Sequence, residues 1–142
     1  MKVLYTGNLD VNNGGPAFST YNMMRGLNAI GVETHVLMYE MEKNGKLIGN
    51  DVPIHFAKKP VEHIFSYSLS YKKEIKACGD FDIYQAQGVW LYNTYALVDV
   101  ARKMGKPYVI TPRGMLYPQD IAKSKAWFKN MSLKIRLLDD LN

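Results

Sequence analysis

The chain has 142 residues, 47% hydrophobic, 22% charged and 12% aromatic, with a net charge of +5. That composition suits one ordinary globular domain over residues 1–142 and excludes a disordered or collagen-like chain. No apolar run approaches the ~20 residues that span a bilayer. The start MKVLYTGNLD lacks the long apolar stretch of a secretory signal. Cys78 is the single cysteine, which excludes an internal disulfide and suits a reducing compartment. A cytoplasmic protein is therefore expected. The basic excess gathers late, with five basic and no acidic residues from Lys123 to Arg136.

Taken in order, Lys2–Thr6 (KVLYT) reads as a strand, and the polar, glycine-bearing stretch Gly7–Pro16 as a loop. From Ala17 to Ile30 a helical period puts Ala17, Tyr21, Met24 and Leu27 on one face, with Gly31 as its stop. Glu33–Tyr39 is a second strand, residues 40–52 a loop, and Pro53–Ala57 a third strand. Val61–Cys78 is expected to be helical. Asp82–Ala86 follows as a fourth strand. The helix Asn93–Met104 turns Ala96, Leu97, Val100, Ala101 and Met104 inward and ends at Gly105 and Pro107. Pro107–Thr111 is a fifth strand, and an amphipathic helix closes the chain.

Strands alternating with crossovers of this length predict an α/β fold: a doubly wound, Rossmann-like parallel sheet of about five strands. Right-handed crossovers give the order 3-2-1-4-5, with helices on both faces. Sites in such sheets lie beyond the carboxyl ends of the strands. Three loops qualify there: 7–16, 87–92 and 112–118.

The first loop ends in Gly14-Gly15-Pro16 at a helix start. Its glycines let backbone N–H groups approach an anion, and the helix terminus adds partial positive charge. The plainer reading of the same residues is a tight turn with proline at the first helical position. In Thr111–Pro118 (TPRGMLYP), Arg113 offers a rigid fork for phosphate or carboxylate, or is a surface arginine on a structured turn. In Gln85–Trp90 (QAQGVW), Gln87 and Trp90 suit a hydroxyl-rich ligand, unless Trp90 packs beneath the next helix. His35, His55 and His63 show no ligand spacing, so no metal is expected. In the closing helix, Trp127, Phe128, Met131, Ile135 and Leu138 share one sector, with Lys125, Lys129 and Arg136 nearly opposite. That pattern fits either a core-facing helix with a basic back or a helix lying on an anionic membrane. Base-reading motifs are missing, so nucleic acid is not an expected partner.

Gly14-Gly15-Pro16, Leu27–Leu37 (LNAIGVETHVL), Asp82–Trp90 and Gly105–Pro118 (GKPYVITPRGMLYP) together resemble the N-terminal lobe of retaining glycosyltransferases of the GT4 family. These have the two-lobed GT-B fold, and the resemblance covers most of residues 1–125. It implies transfer of a hexose-type sugar from a nucleotide-sugar to a lipid-linked or polysaccharide acceptor, in cell-surface glycan or polysaccharide synthesis, without a metal or other cofactor. Gly14 and Gly15 would then form the loop near the donor phosphates, and Arg113 and Trp90 would face the acceptor or the interlobe cleft. Where the family carries His-x-His-Gly, this chain has Gln85-Ala-Gln87-Gly88. Gln87, at the position of the reactive histidine, orients a hydroxyl but does no acid–base chemistry near neutral pH. The nucleotide-holding second lobe is not in the sequence, so the chain is expected to be a truncated lobe, inactive alone and peripheral on the inner membrane face. The alternative is a stand-alone, flavodoxin-like small-ligand or phosphate-binding module.

Overall fold

The computed structural model describes residues 1–60 and 66–122. It divides into two compact units, Met1–Thr111 and Pro112–Asn142. The first unit carries the strands β1 (Lys2–Thr6), β2 (Glu33–Tyr39), β3 (Ile54–Ala57), β4 (Ile83–Gln87) and β5 (Tyr108–Thr111). Between them run the helices α1 (Gly15–Ala29), α2 (Tyr71–Ala77) and α3 (Tyr92–Lys103). All four strand pairings are parallel, in the order β3-β2-β1-β4-β5. The expected α/β topology is the one observed.

Alternation along each strand sends side chains to two cores. Val3 and Tyr5 of β1 join Val36 and Met38 of β2 and Met24 of α1. Leu4 joins Leu37, Tyr84 and Ala86 with Tyr71 and Ile75 of α2 and Ala96, Leu97, Val100 and Ala101 of α3. α1 therefore covers one face of the sheet, and α2 and α3 the other. β1 and β4, neighbours at the centre, send their helices to opposite faces. This is the reversal point where open α/β sheets form a crevice.

Three sequence expectations need correction. Residues 66–70 are not helical: Ser66 has φ +56°, and α2 begins only after Ser70. Serine hydroxyls compete for backbone hydrogen bonds, which favours turns over a helix interior. Residues 61–65, with His63, lie outside the described residues. Met104 is the C-cap of α3 and is exposed, although its Sδ accepts from Tyr84 Oη at 3.9 Å. Finally, α1 begins at Gly15, ahead of the apolar period, because Pro16 is preset for a first helical turn.

In the second unit a tight turn at Pro112–Met115, closed by Met115 N–H donating to Pro112 O at 3.0 Å, precedes the short helix α4 (Pro118–Ala122). Trp127, Phe128, Met131, Ile135 and Leu138, with Lys125, Lys129 and Arg136, lie outside the described residues.

Candidate functional site

Parallel register sets Thr6 of β1 opposite Ala86 of β4, so Gly7 and Gln87 emerge side by side. A Cβ on Gly7 would stand 3.5 Å from Gln87 Cγ and 3.9 Å from Thr20 Cγ2 in α1. Thr20 Oγ1 donates back to Pro16 O at 2.9 Å, locking the first turn of that helix. Gln87 and Thr20, in the second turn of α1, thus both border Gly7, at the mouth of the crevice.

The glycine loop is built by local hydrogen bonding. Asp10 caps a 3-10 turn, Val11–Asn13, by accepting from Asn12 N–H on its side chain at 3.0 Å. Asn13 N–H donates to Asp10 O at 2.9 Å, and Gly14 N–H to Val11 O at 3.0 Å. Gly14 then takes φ +62° and ψ −142°, a region essentially closed to residues with a Cβ. That reversal aims the chain into α1.

At the N-terminus of α1 most amide hydrogens are spent. Ala17 and Phe18 both donate to Gly14 O, at 3.1 and 3.3 Å, and Pro16 has no N–H. Gly15 N–H has no partner among the described residues, and a Cβ at Gly15 would meet nothing within 4 Å. Gly15 N–H is therefore an open donor, among the described residues, in open space at the positive end of a 15-residue helix.

The second lip of the crevice is held as firmly. Gly88, at φ +86°, donates its N–H to Thr111 O at 2.8 Å, and its carbonyl accepts from Thr94 Oγ1 at 3.0 Å. Gln85 Nε2 donates to Thr111 Oγ1 at 3.0 Å and ties β4 to β5. Gln85 thus serves the sheet, whereas Gln87 lies one pleat further out, at the mouth. Trp90 is half-buried in the turn that enters α3.

Arg113 belongs to the second unit, where it is half-buried and holds φ +53°, next to Gly114 at φ +78°. A left-handed arginine costs roughly 1 kcal/mol, more than an ordinary surface turn residue carries.

Two groups escaped the sequence reading. Asp10 is 7% exposed and organises the glycine loop; its signal was the Asp-x-Asn spacing of an Asx turn. The other is a polar chain across three strands. Lys2 Nζ lies 3.1 Å from Glu33 Oε1, which lies 2.8 Å from His35 Nε2, and His35 Nδ1 lies 2.9 Å from His55 Nε2. Only strand register shows that two histidines twenty residues apart meet. Among the described residues no group of three or more side chains is placed to hold a metal ion. None of the described helices is long and apolar enough to cross a membrane.

No family model matches the chain, and no curated protein matches it. Among solved structures, a UGT transferase from Siraitia grosvenorii in complex with UDP aligns with 77% of this chain at 13% identity and a TM-score of 0.45. The chain spans 23% of that protein's length.

Proposed function

We propose that this chain is the acceptor-side lobe of a two-lobed retaining glycosyltransferase that uses a nucleotide-sugar donor. The observation that carries the reading is the Gly14-Gly15 corner: a glycine-only reversal that, among the described residues, leaves the Gly15 N–H open at a helix N-terminus. The motif order that resembles the GT4 family supports it. Here Gly15 N–H and the α1 terminus would meet a donor phosphate oxygen, and the Gln87 amide would orient a sugar hydroxyl. Trp90 would face an acceptor sugar, of a glycan or lipid-linked saccharide, and Arg113, within its own unit, would take an anionic group. The strained backbone of Arg113 supports a binding role, because such strain concentrates where a side chain must be aimed. The basic residues Lys125, Lys129 and Arg136 would favour an anionic membrane surface, where a lipid-linked acceptor resides.

Amide NMR of the uniformly labelled chain tests this reading. Adding UDP should shift the Gly15 and Ala17 amides, while uridine without phosphates should not. With Gly15 N–H as the phosphate's donor, affinity in the range of about 1 mM is expected. Micromolar binding by the chain alone would favour the stand-alone module. Shifts confined to other loops would overturn both.

A further inference from the structure

We infer that the 40–52 excursion between β2 and β3 positions the Gly14-Gly15 corner, with Asp10 as the positioning residue between them. This inference rests on the functional reading above for its ligand, but not for its geometry. Four hydrogen bonds join the excursion to residues 9–12. Ile48 N–H donates to Leu9 O at 3.0 Å, and Val11 N–H to Lys46 O at 2.8 Å. Asn12 Nδ2 donates to Asn44 O at 3.2 Å, and Lys46 N–H to Asp10 Oδ1 at 3.2 Å. The same Oδ1 accepts the Asn12 N–H that caps the 3-10 turn, so one carboxylate oxygen serves both segments.

The excursion also grips α1. Asp51 accepts from Tyr21 Oη and pairs with Arg25 Nε at 2.9 Å, both on that helix. Gly49 lies so close that a Cβ there would overlap the Tyr21 ring. A Cβ at Gly45 would likewise stand 2.8 Å from Asp10 Oδ2 and 2.6 Å from Met41 Cβ. Two glycines therefore let the excursion lie flat against the glycine loop and the helix that follows it. The turn that sets φ at Gly14 is thereby held from outside the loop.

Charge separates this role from direct binding. A carboxylate beside an anion site opposes the anion, so Asp10 would assist only through its hydrogen bonds. Asp10→Asn keeps the Oδ1 acceptor and removes the charge; Asp10→Ala removes both.

The experiment compares wild type, Asp10→Asn, Asp10→Ala and Gly45→Ala by amide NMR, free and with inorganic pyrophosphate. Asp10→Ala and Gly45→Ala should move the Gly14 and Gly15 amides in the free protein, with resonances of the α3 core unchanged. Both should weaken pyrophosphate binding on the order of tenfold. Asp10→Asn should retain the wild-type amide positions and bind at least as tightly. Unmoved Gly14 and Gly15 amides in both Asp10→Ala and Gly45→Ala would overturn the positioning role, as would global unfolding of both. If wild type shows no pyrophosphate shift at Gly15, the functional reading fails, while the free-protein spectra still decide the positioning role.

Discussion

Gly14 and Gly15 are adjacent and identical in type, yet their backbones demand different things. Gly14→Ala forces a Cβ into φ +62°, and a loss of about 1–3 kcal/mol is expected in urea denaturation. Gly15→Ala adds a methyl in open space and should alter stability by no more than about 0.5 kcal/mol. It should nonetheless weaken pyrophosphate binding, because the methyl stands beside the open N–H; unaltered binding would remove Gly15 from the site. The histidines make a second case. The 2.9 Å contact between His35 and His55 holds one proton well, while charging both rings leaves no acceptor between them. Burial, and then the neighbouring His35, push the His55 imidazole below its ordinary 6.5. A depressed value means the folded state resists that proton. Stability from this source is full above about pH 6.5 and is lost as pH falls through the lowered value. Glu33, held below its ordinary 4.5 by the His35 hydrogen bond and then Lys2, acts in the same direction at more acidic pH. Thermal unfolding followed from pH 8 to pH 5 should show the decline, and His55→Gln should flatten it. An equal decline in that variant would assign the effect elsewhere. At this scale the sequence was legible where a residue's role is local, as at Gly14, and silent where strand register creates the partner, as at His35.

Elements were legible in proportion to their apolar period. Glu33–Tyr39 is found as read, because its alternation feeds both cores. The fourth strand shifts by one residue, to Ile83–Gln87, and that shift brings Gln87 into the sheet's last pairing, opposite Thr111. α2 shrinks to Tyr71–Ala77 because only Tyr71 and Ile75 reach the core, and Ser70 gives no side-chain cap. A seven-residue helix has little stability of its own, so its existence depends on those two contacts. α3 is the opposite case. Its predicted inner residues Ala96, Leu97, Val100 and Ala101 are all fully or nearly fully buried. Leu97→Ala should cost about 2–5 kcal/mol by denaturant titration, since the cavity would sit between α3 and the sheet. A loss below about 1 kcal/mol would show that the site collapses around the missing atoms. Lys72 and Lys103 converge on Asp99 at 2.7 and 3.0 Å, and Lys72 lies 4.8 Å from the centre of the Tyr95 ring. Asp99 is 21% exposed and Lys103 66%, and the amide oxygen of Asp99→Asn still accepts from both lysines, so that substitution is expected to have a smaller effect than Leu97→Ala.

For the whole molecule, topology was the most legible feature, since right-handed crossovers leave few orders for five parallel strands. The destination of the basic C-terminal stretch is a question of chemistry that topology does not answer. Lys125, Lys129 and Arg136 carry positive charge, and Trp127, Phe128, Met131, Ile135 and Leu138 carry apolar area that is costly to leave in water together. An anionic bilayer satisfies both, with on the order of 1 kcal/mol for each basic residue near the surface. A protein core satisfies only the apolar part and leaves the charges in solvent. Salt separates the two cases, because it screens the first over a distance of about 8 Å at physiological strength and leaves burial intact. The measurement is co-sedimentation of the chain with vesicles of neutral lipid alone or with anionic phosphatidylglycerol, at low and high salt. On the membrane reading the chain sediments with anionic vesicles, releases at high salt, and ignores neutral ones. Replacing Lys125, Lys129 and Arg136 together by glutamate should abolish that binding and leave the five-stranded unit folded. Binding that is equal on both lipids and insensitive to salt would be apolar adsorption. No binding under any condition would assign the apolar residues to the protein's own interior.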